Sequence, residues 1–174
     1  METPARMKAV VGIDPGKGGY LVMLGFDGSR RCAEMPVIRP AKGKSEYDVS
    51  ALVRILREWD GAADVTLAVI EKQQAYHGQG STSNFTTGFG YGILVAAATA
   101  LGWPVECPHP KTWKAEMLRD IPGAGDDKAR SILAAGRLFP GADLRRTISC
   151  RKPDDNVAEA LLLAEWGRRR LSAV

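Results

Sequence analysis

Four carboxylates in this 174-residue chain have the spacing expected of a metal site. Asp14 and Glu71 each directly follow a short apolar stretch. Asp155 and Glu159 are four residues apart in a segment with helical periodicity, so they lie on one face of a helix. Carboxylate oxygens suit Mg²⁺, and a pair of such ions can activate water and stabilise the leaving oxygen in phosphodiester cleavage. The four acids together therefore predict metal-dependent hydrolysis of a phosphodiester.

Each of these acids also has an ordinary structural explanation. Asp14 could simply begin the turn Asp-Pro-Gly-Lys, and Glu71 could be a solvated strand end. Asp155 and Glu159 lie near a helix N-terminus, where negative charge is favourable. Asp154 is expected to be the N-cap of that helix. Metal binding is favoured because four acids come from three distant segments.

The sequence around these acids predicts a sheet that places two of them side by side. Three strands separated by tight turns are expected to form an antiparallel meander. They cover 9–14, 20–26 and 30–35. An amphipathic helix over 47–59 and a continuous apolar strand over 65–70 come next. Because a strand, a crossover helix and a second strand imply parallel pairing, Asp14 and Glu71 are expected at the same edge of the sheet.

The second half of the chain predicts mainly helices. A polar, glycine-rich loop over 76–84 leads into a helix that Ser83 or Asn84 would cap. The predicted helices cover 86–101, 110–119, 126–139 and 154–171, and one short strand covers 103–107. The third of these helices has an apolar stripe that is expected to face the core. The stripe consists of Ala129, Ile132, Leu133, Gly136 and Leu138.

The composition fits one α/β domain over residues 1–174 in the cytoplasm. The chain is 45% hydrophobic and carries 24 Lys and Arg residues against 20 Asp and Glu residues, a net charge of +4. Its three cysteines are widely spaced and form no cluster with the two histidines, so neither a disulfide framework nor a zinc site is expected. No apolar run is long enough to span a membrane. The glycines at 16–19 match no nucleotide-binding motif, so no nucleotide cofactor is expected.

Three segments resemble the motifs of the RuvC-type Holliday junction resolvases, which belong to the ribonuclease H-like superfamily. They are GIDPGKGG at 12–19, VIEKQQ at 69–74 and KPDDNVAEALLLAEWG at 152–167. The stretch 103–139, which contains PKTWK, fits the same pattern, so the resemblance covers nearly the whole chain. The i, i+4 spacing of Asp155 and Glu159 resembles the phage-like and organelle-like branches, whereas the bacterial housekeeping enzymes use i, i+3. Asp154 stands where relatives often have His, and there it could add a metal ligand instead of a cap.

The resemblance implies a three-layer fold with a mixed five-stranded sheet, three antiparallel and then parallel strands, and helices on both faces. It also implies a homodimeric crossover junction endodeoxyribonuclease that nicks four-way junction DNA symmetrically, with two Mg²⁺ ions per site and Mn²⁺ as a substitute. The catalytic and metal-binding residues would be Asp14, Glu71, Asp155 and Glu159. Two alternatives stay open: a related nuclease acting on branched DNA or RNA–DNA hybrids, and a protein that binds junctions without cutting them.

Several further residues are expected to contact the DNA. Basic residues near helix starts would neutralise phosphates, and residues in the loop after Glu71 would reach the branch point. These residues are Lys111, Lys114, Lys128, Arg151, Lys152, Tyr76 and Gln79. For the basic residues the alternative is an ordinary solvated helix face, and Tyr76 could instead cover the edge of the core. Phe85 and Phe89 are expected in dimer or core packing.

Overall fold

The structure, a computed structural model, describes residues 6–75, 78, 80–123 and 125–172. Its strands are β1 (Lys8–Asp14), β2 (Tyr20–Gly25), β3 (Arg30–Glu34), β4 (Val37–Ile38), β5 (Glu46–Tyr47), β6 (Asp64–Ile70) and β7 (Val105–Glu106). Within the described residues, five strands form one mixed sheet in the order β3-β2-β1-β6-β7. β1, β2 and β3 are antiparallel neighbours, and β6 pairs in parallel with β1 and β7. β4 and β5, which the sequence pattern does not predict, form a separate antiparallel pair.

Helices cover both faces of the five-stranded sheet. They are α1 (Val49–Ala62), α2 (Ser81–Ala100), α3 (Pro110–Met117), α4 (Asp127–Leu138) and α5 (Asp155–Ser172). Because side chains alternate along a strand, Val11 and Ile13 of β1 pack with α1 and α2, whereas Val10 packs with α3, α4 and α5. The predicted fold class is confirmed. None of the helices in the described residues combines the length and apolar character needed to cross a membrane.

The start of α2 differs from the prediction. The helix begins at Ser81 rather than at residue 86, with Gly80 as the N-cap and no hydrogen bond from a capping side chain. Ser83 and Asn84 therefore lie inside the helix, and the prediction that one of them caps it is wrong. This first turn is largely exposed to solvent, so its polar side chains are not desolvated and carry no free-energy cost of burial. A polar stretch without apolar periodicity gives no helical signal in the sequence.

The buried face of α4 also differs from the prediction. Leu133 and Leu138 are exposed, and the residues that face the core are Ser131, Ala134 and Ala135. Small side chains allow α4 to approach α5 closely, and the hydroxyl of Ser131 finds a hydrogen-bond acceptor there. Of the predicted stripe, Ile132 does pack against the core, but the fully buried part of this face is small and partly polar.

The packing of α5 on β1 determines how the two halves of the chain meet. A Cβ atom added to Gly12 of β1 would overlap the carbonyl oxygen of Ala160 and the backbone nitrogen of Ala164 in α5. Further along the helix, a Cβ atom on Gly167 would press against the side chain of Val69 in β6. The two glycines thus allow the helix backbone to rest directly on the sheet.

We expect Gly12→Ala to destabilise the protein by about 3 kcal/mol or more, because the added methyl group requires α5 to move away from β1. The measurement is the midpoint of urea unfolding. Gly136→Ala is the matched control, since Gly136 lies in α4 with open space at its Cβ position. It should leave the free energy of unfolding unchanged or raise it by up to ~1 kcal/mol. Equal midpoints for Gly12→Ala and the wild type would contradict the close contact.

Candidate functional site

Asp14 and Glu71 lie side by side at the carboxyl ends of β1 and β6. The parallel register pairs Ile13 with Ile70, and the amide of Glu71 donates a hydrogen bond to the carbonyl of Ile13 at 3.2 Å. By the alternation of each strand, both carboxylates belong to the face that α5 covers. Asp14 is 9% exposed and Glu71 is 8% exposed. The two strand ends therefore bring two nearly buried carboxylates together.

Asp155 and Glu159 reach the same edge of the sheet from the first turns of α5. The helix start is held by Asp154, whose Oδ1 accepts hydrogen bonds from two amides of the first turn at 3.0 and 3.3 Å. The expectation that Asp154 caps the helix is confirmed. The charges of both Asp155 and Glu159 act on Asp14, so the helix brings its acids into electrostatic contact with the strand ends.

For Asp14 and Glu71, burial and the neighbouring acids make the negative charge less favourable. Burial raises the pKa of Asp14 well above its ordinary value. The charges of the other three acids raise it further, and the ammonium of Lys114 acts in the opposite direction. Burial also raises the pKa of Glu71, although a hydrogen bond from Trp113 opposes that shift. A buried cluster of like charges needs a cationic partner to be stable in its ionised form.

Two lysines provide positive charge at this site. Nζ of Lys114 lies 2.8 Å from Oε1 of Glu159, and Nζ of Lys128 lies 2.9 Å from Oδ2 of Asp155. The hydroxyl of Ser131 donates a further hydrogen bond to Glu159 at 3.1 Å. The two lysines were predicted as DNA contacts, and the fold brings both of them to the carboxylates themselves.

Three residues that contact the carboxylates had no predicted role. Trp113 Nε1 and Gln73 Nε2 donate hydrogen bonds to the two oxygens of Glu71, at 3.1 and 3.2 Å. Ser131, the third, bonds to Glu159. Trp113 and Gln73 fall inside the segments PKTWK and VIEKQQ, which is a usable signal. Ser131 lies in mid-helix among apolar residues, where no sequence feature marks it.

The side chains of this cluster fit a hard divalent cation. All four carboxylates offer the oxygen ligands that Mg²⁺ prefers, and a cation would relieve their repulsion. Among the described residues, no three Asp, Glu, His or Cys side chains are arranged as ligands around one point. Glu159 and Asp155 are each paired with an ammonium group through one oxygen. A cation bound at that same oxygen would displace the lysine.

Three other residues predicted to contact DNA, Lys111, Arg151 and Lys152, have no hydrogen bond or ion pair to the four carboxylates among the described residues. Lys111 is exposed on the first turn of α3, one turn before Lys114. Arg151 and Lys152 are exposed in the connector that leads into α5. Tyr76 and Gln79 lie outside the described residues.

Arg146 fastens this connector to the start of α5. Its Nε donates to Oδ2 of Asp154 at 2.9 Å, and its guanidinium also lies 3.5 Å from a carboxylate oxygen of Glu34 in β3. The hydroxyl of Tyr20 donates to the carbonyl of Arg146 at 3.2 Å. Burial opposes the charge of Asp154, but Arg146 and the helix amides hold the pKa of Asp154 below its ordinary value. The first turn of α5 is therefore tied to the sheet by a charged network.

We expect Asp14→Asn to raise the melting temperature of the metal-free protein by about 4 °C or more, because it removes a buried charge that three neighbouring acids disfavour. The measurement is thermal unfolding in EDTA. Asp64→Asn is the matched control, since Asp64 is an exposed acid at the start of β6, and it should leave the melting temperature unchanged. A lower melting temperature for Asp14→Asn would show that the Asp14 charge is not under repulsion.

Comparison with known proteins identifies the fold. No protein-family model matches the chain, and no curated protein matches it. Among solved structures, the chain is similar to T. thermophilus RuvC in complex with a Holliday junction substrate, with a TM-score of 0.56 and 15% identity over 94% of this chain and 96% of that chain. It is also similar to a second Thermus thermophilus RuvC structure, with a TM-score of 0.51 and 18% identity over 93% of this chain and 96% of that chain. The chain therefore has the ribonuclease H-like fold of RuvC.

Proposed function

We propose that this chain is a metal-dependent, structure-selective DNA endonuclease that resolves four-way junctions. The observation that carries the proposal is the cluster of four carboxylates at one edge of a RuvC-like sheet, in which the other three acids raise the pKa of Asp14. Such a cluster serves phosphodiester hydrolysis and gives the fold no stability of its own. The protein would act as one domain over residues 1–174 in the cytoplasm. The spacing of Asp155 and Glu159 supports a place among the phage-like and organelle-like branches of the resolvases.

The four carboxylates would hold two Mg²⁺ ions, with Mn²⁺ as a substitute. When bound, the ions supply an activated water and stabilise the leaving oxygen. The role of the protein itself is to keep the ligands in position. Trp113 and Gln73 orient Glu71 through hydrogen bonds to both of its oxygens, and the sheet holds Asp14 beside it. Two of the four carboxylates, Glu71 and Glu159, thus have hydrogen-bond donors other than lysine, which reduces the reorganisation that metal binding requires.

Lys114 and Lys128 would change partners when the metal and the DNA are bound. Each is now paired with a carboxylate of α5. Once those carboxylates ligate cations, both ammonium groups become available to neutralise phosphates near the scissile bond. Further contacts to the DNA are proposed for Lys111, Arg151, Lys152, Tyr76 and Gln79.

A homodimer would supply the two active sites that paired, symmetric nicks require. Support comes from an aromatic patch on α2. Phe85 is 73% exposed and Phe89 is 47% exposed, and their rings stack with centroids 6.2 Å apart. Adjacent exposed aromatic rings are costly in water and are typical of an interface. We propose that a second copy of this chain covers the patch.

The wild-type protein is expected to nick a synthetic four-way junction in Mg²⁺ at symmetric positions on two strands. Asp14→Asn should lower the rate by more than about 100-fold, because it removes a charged ligand from the cluster. Asp64→Asn is the matched control and should cut like the wild type. Denaturing gels of junctions labelled on each strand in turn measure both the rate and the positions.

Cleavage of the junction by Asp14→Asn at the wild-type rate would remove Asp14 from the site. A preference for forks or for RNA–DNA hybrids over the junction in the same assay would favour the related nuclease activities. Tight junction binding with no strand cut in Mg²⁺ or Mn²⁺ would favour a protein that only binds junctions.

We expect Phe89→Glu to convert the dimer into the 18.8 kDa monomer, because it places a charge in the aromatic interface. Sedimentation velocity measures the mass. Ile148→Glu is the matched control, since Ile148 is 88% exposed in the connector before α5, away from α2. A wild-type protein that sediments as a monomer at micromolar concentration, with or without junction DNA, would contradict the dimer.

A further inference from the structure

A cleft of about 250 Å³ lies beside the carboxylate cluster. Its walls come from the turn after β1, the loop before β5, the segment after β6 and the first turns of α2. The side chains that matter for its chemistry are Lys17, Lys44, Tyr47, Gln73, Thr82 and Ser83. We call this site the lysine cleft. Among the described residues, no Asp or Glu side chain lines it, which contrasts with the carboxylate cluster next to it.

The lysine cleft and the carboxylate cluster share a wall. Pro15 and Gly16 line the cleft, and they directly follow Asp14 in the chain. Gln73 lines the cleft and donates a hydrogen bond to Glu71 at 3.2 Å. A DNA strand that presents one phosphate to the carboxylates would therefore bring a neighbouring phosphate to the cleft.

The donors of the lysine cleft suit a phosphodiester. Nζ of Lys17 donates to the carbonyl of Ser45 at 2.7 Å, which holds the ammonium in place while its other two hydrogens stay available. Lys44 adds a second positive charge, and the hydroxyls of Thr82 and Ser83 add neutral donors. Phosphate oxygens accept several charge-assisted hydrogen bonds at once, and a cleft without carboxylates does not repel them.

We propose that the lysine cleft binds a DNA phosphodiester that neighbours the one presented to the carboxylates. This inference rests on the proposed function, because it requires DNA to lie across the carboxylate cluster. The two adjoining sites then have opposite tasks. The carboxylates take cations and the cleft takes the backbone, so that the strand is held in one register relative to the site of cleavage.

Four-way junctions that carry a single neutral methylphosphonate, moved one position at a time along the cut strand, test the proposal. Binding is measured in Ca²⁺. For the wild type, one position within a few nucleotides of the cut should lower affinity roughly tenfold. Lys17→Gln should bind the unmodified junction roughly tenfold more weakly than the wild type does. A methylphosphonate at that one position should cause this variant no further loss of affinity. The slope of log affinity against log salt should also fall by about 0.9. Lys44→Gln should behave in the same way.

Lys42→Gln is the matched control, because Lys42 is exposed in the same loop as Lys44 and does not line the cleft. It should retain the full methylphosphonate penalty. Two results would show that the cleft does not hold a phosphodiester. In the first, Lys17→Gln and Lys44→Gln bind the junction like the wild type. In the second, the affinity lost by these variants adds to the affinity lost through the methylphosphonate at every position. If the cleft variants give either result while the wild type cuts junctions, only the proposed phosphodiester binding by the cleft is overturned. A wild type that neither binds nor cuts junctions overturns the proposed function, and the cleft assignment with it.

Discussion

The direct contact between the backbone of α5 and Gly12 of β1 is the constraint on which the site depends. A strand in the middle of the sheet carries Asp14, and a helix from the far end of the chain carries Asp155 and Glu159. Only a residue without a side chain lets the helix backbone rest on that strand. The contact thereby sets the distance between the acids of the sheet and the acids of the helix. Further along α5, Gly167 leaves room for the side chains of Val69 and Val10.

The close packing of α5 on the sheet brings negative charges together, and other residues of the site offset the electrostatic cost. Two nearly buried acids and two mostly buried ones share one edge of the sheet, and the raised pKa of Asp14 reflects both the burial and the neighbouring charges. Lys114 and Lys128 come from two different helices that pack around α5, and each pairs with one acid. Their ion pairs balance charge without filling the ligand positions permanently, since ammonium groups on long stems move easily. The same property suits them to a second task at a phosphate.

Negative and positive side chains occupy separate regions along this edge of the sheet. Acids are concentrated where strand ends meet the first turns of α5, and lysines and hydroxyls line the cleft on the other side of Asp14 and Glu71. A net charge of +4 averages these regions and hides both of them. This pattern would bind a polyanion in a defined register, with cations between it and the carboxylates and with ammonium groups contacting it in the lysine cleft.

Much of the fold follows from local sequence alone. The strands β1, β2, β3 and β6 and the helices α1 and α5 lie within about three residues of their predicted bounds, because hydrophobic periodicity and turn dipeptides are local signals. The parallel pairing of β1 with β6 was predictable as well, and with it the meeting of Asp14 and Glu71. The tertiary structure alone decided the exposed helical start at Ser81, the small packing face of α4 and the hydrogen bond from Ser131 to Glu159. The last two features depend on which surface lies opposite a residue, and that surface comes from a distant part of the chain.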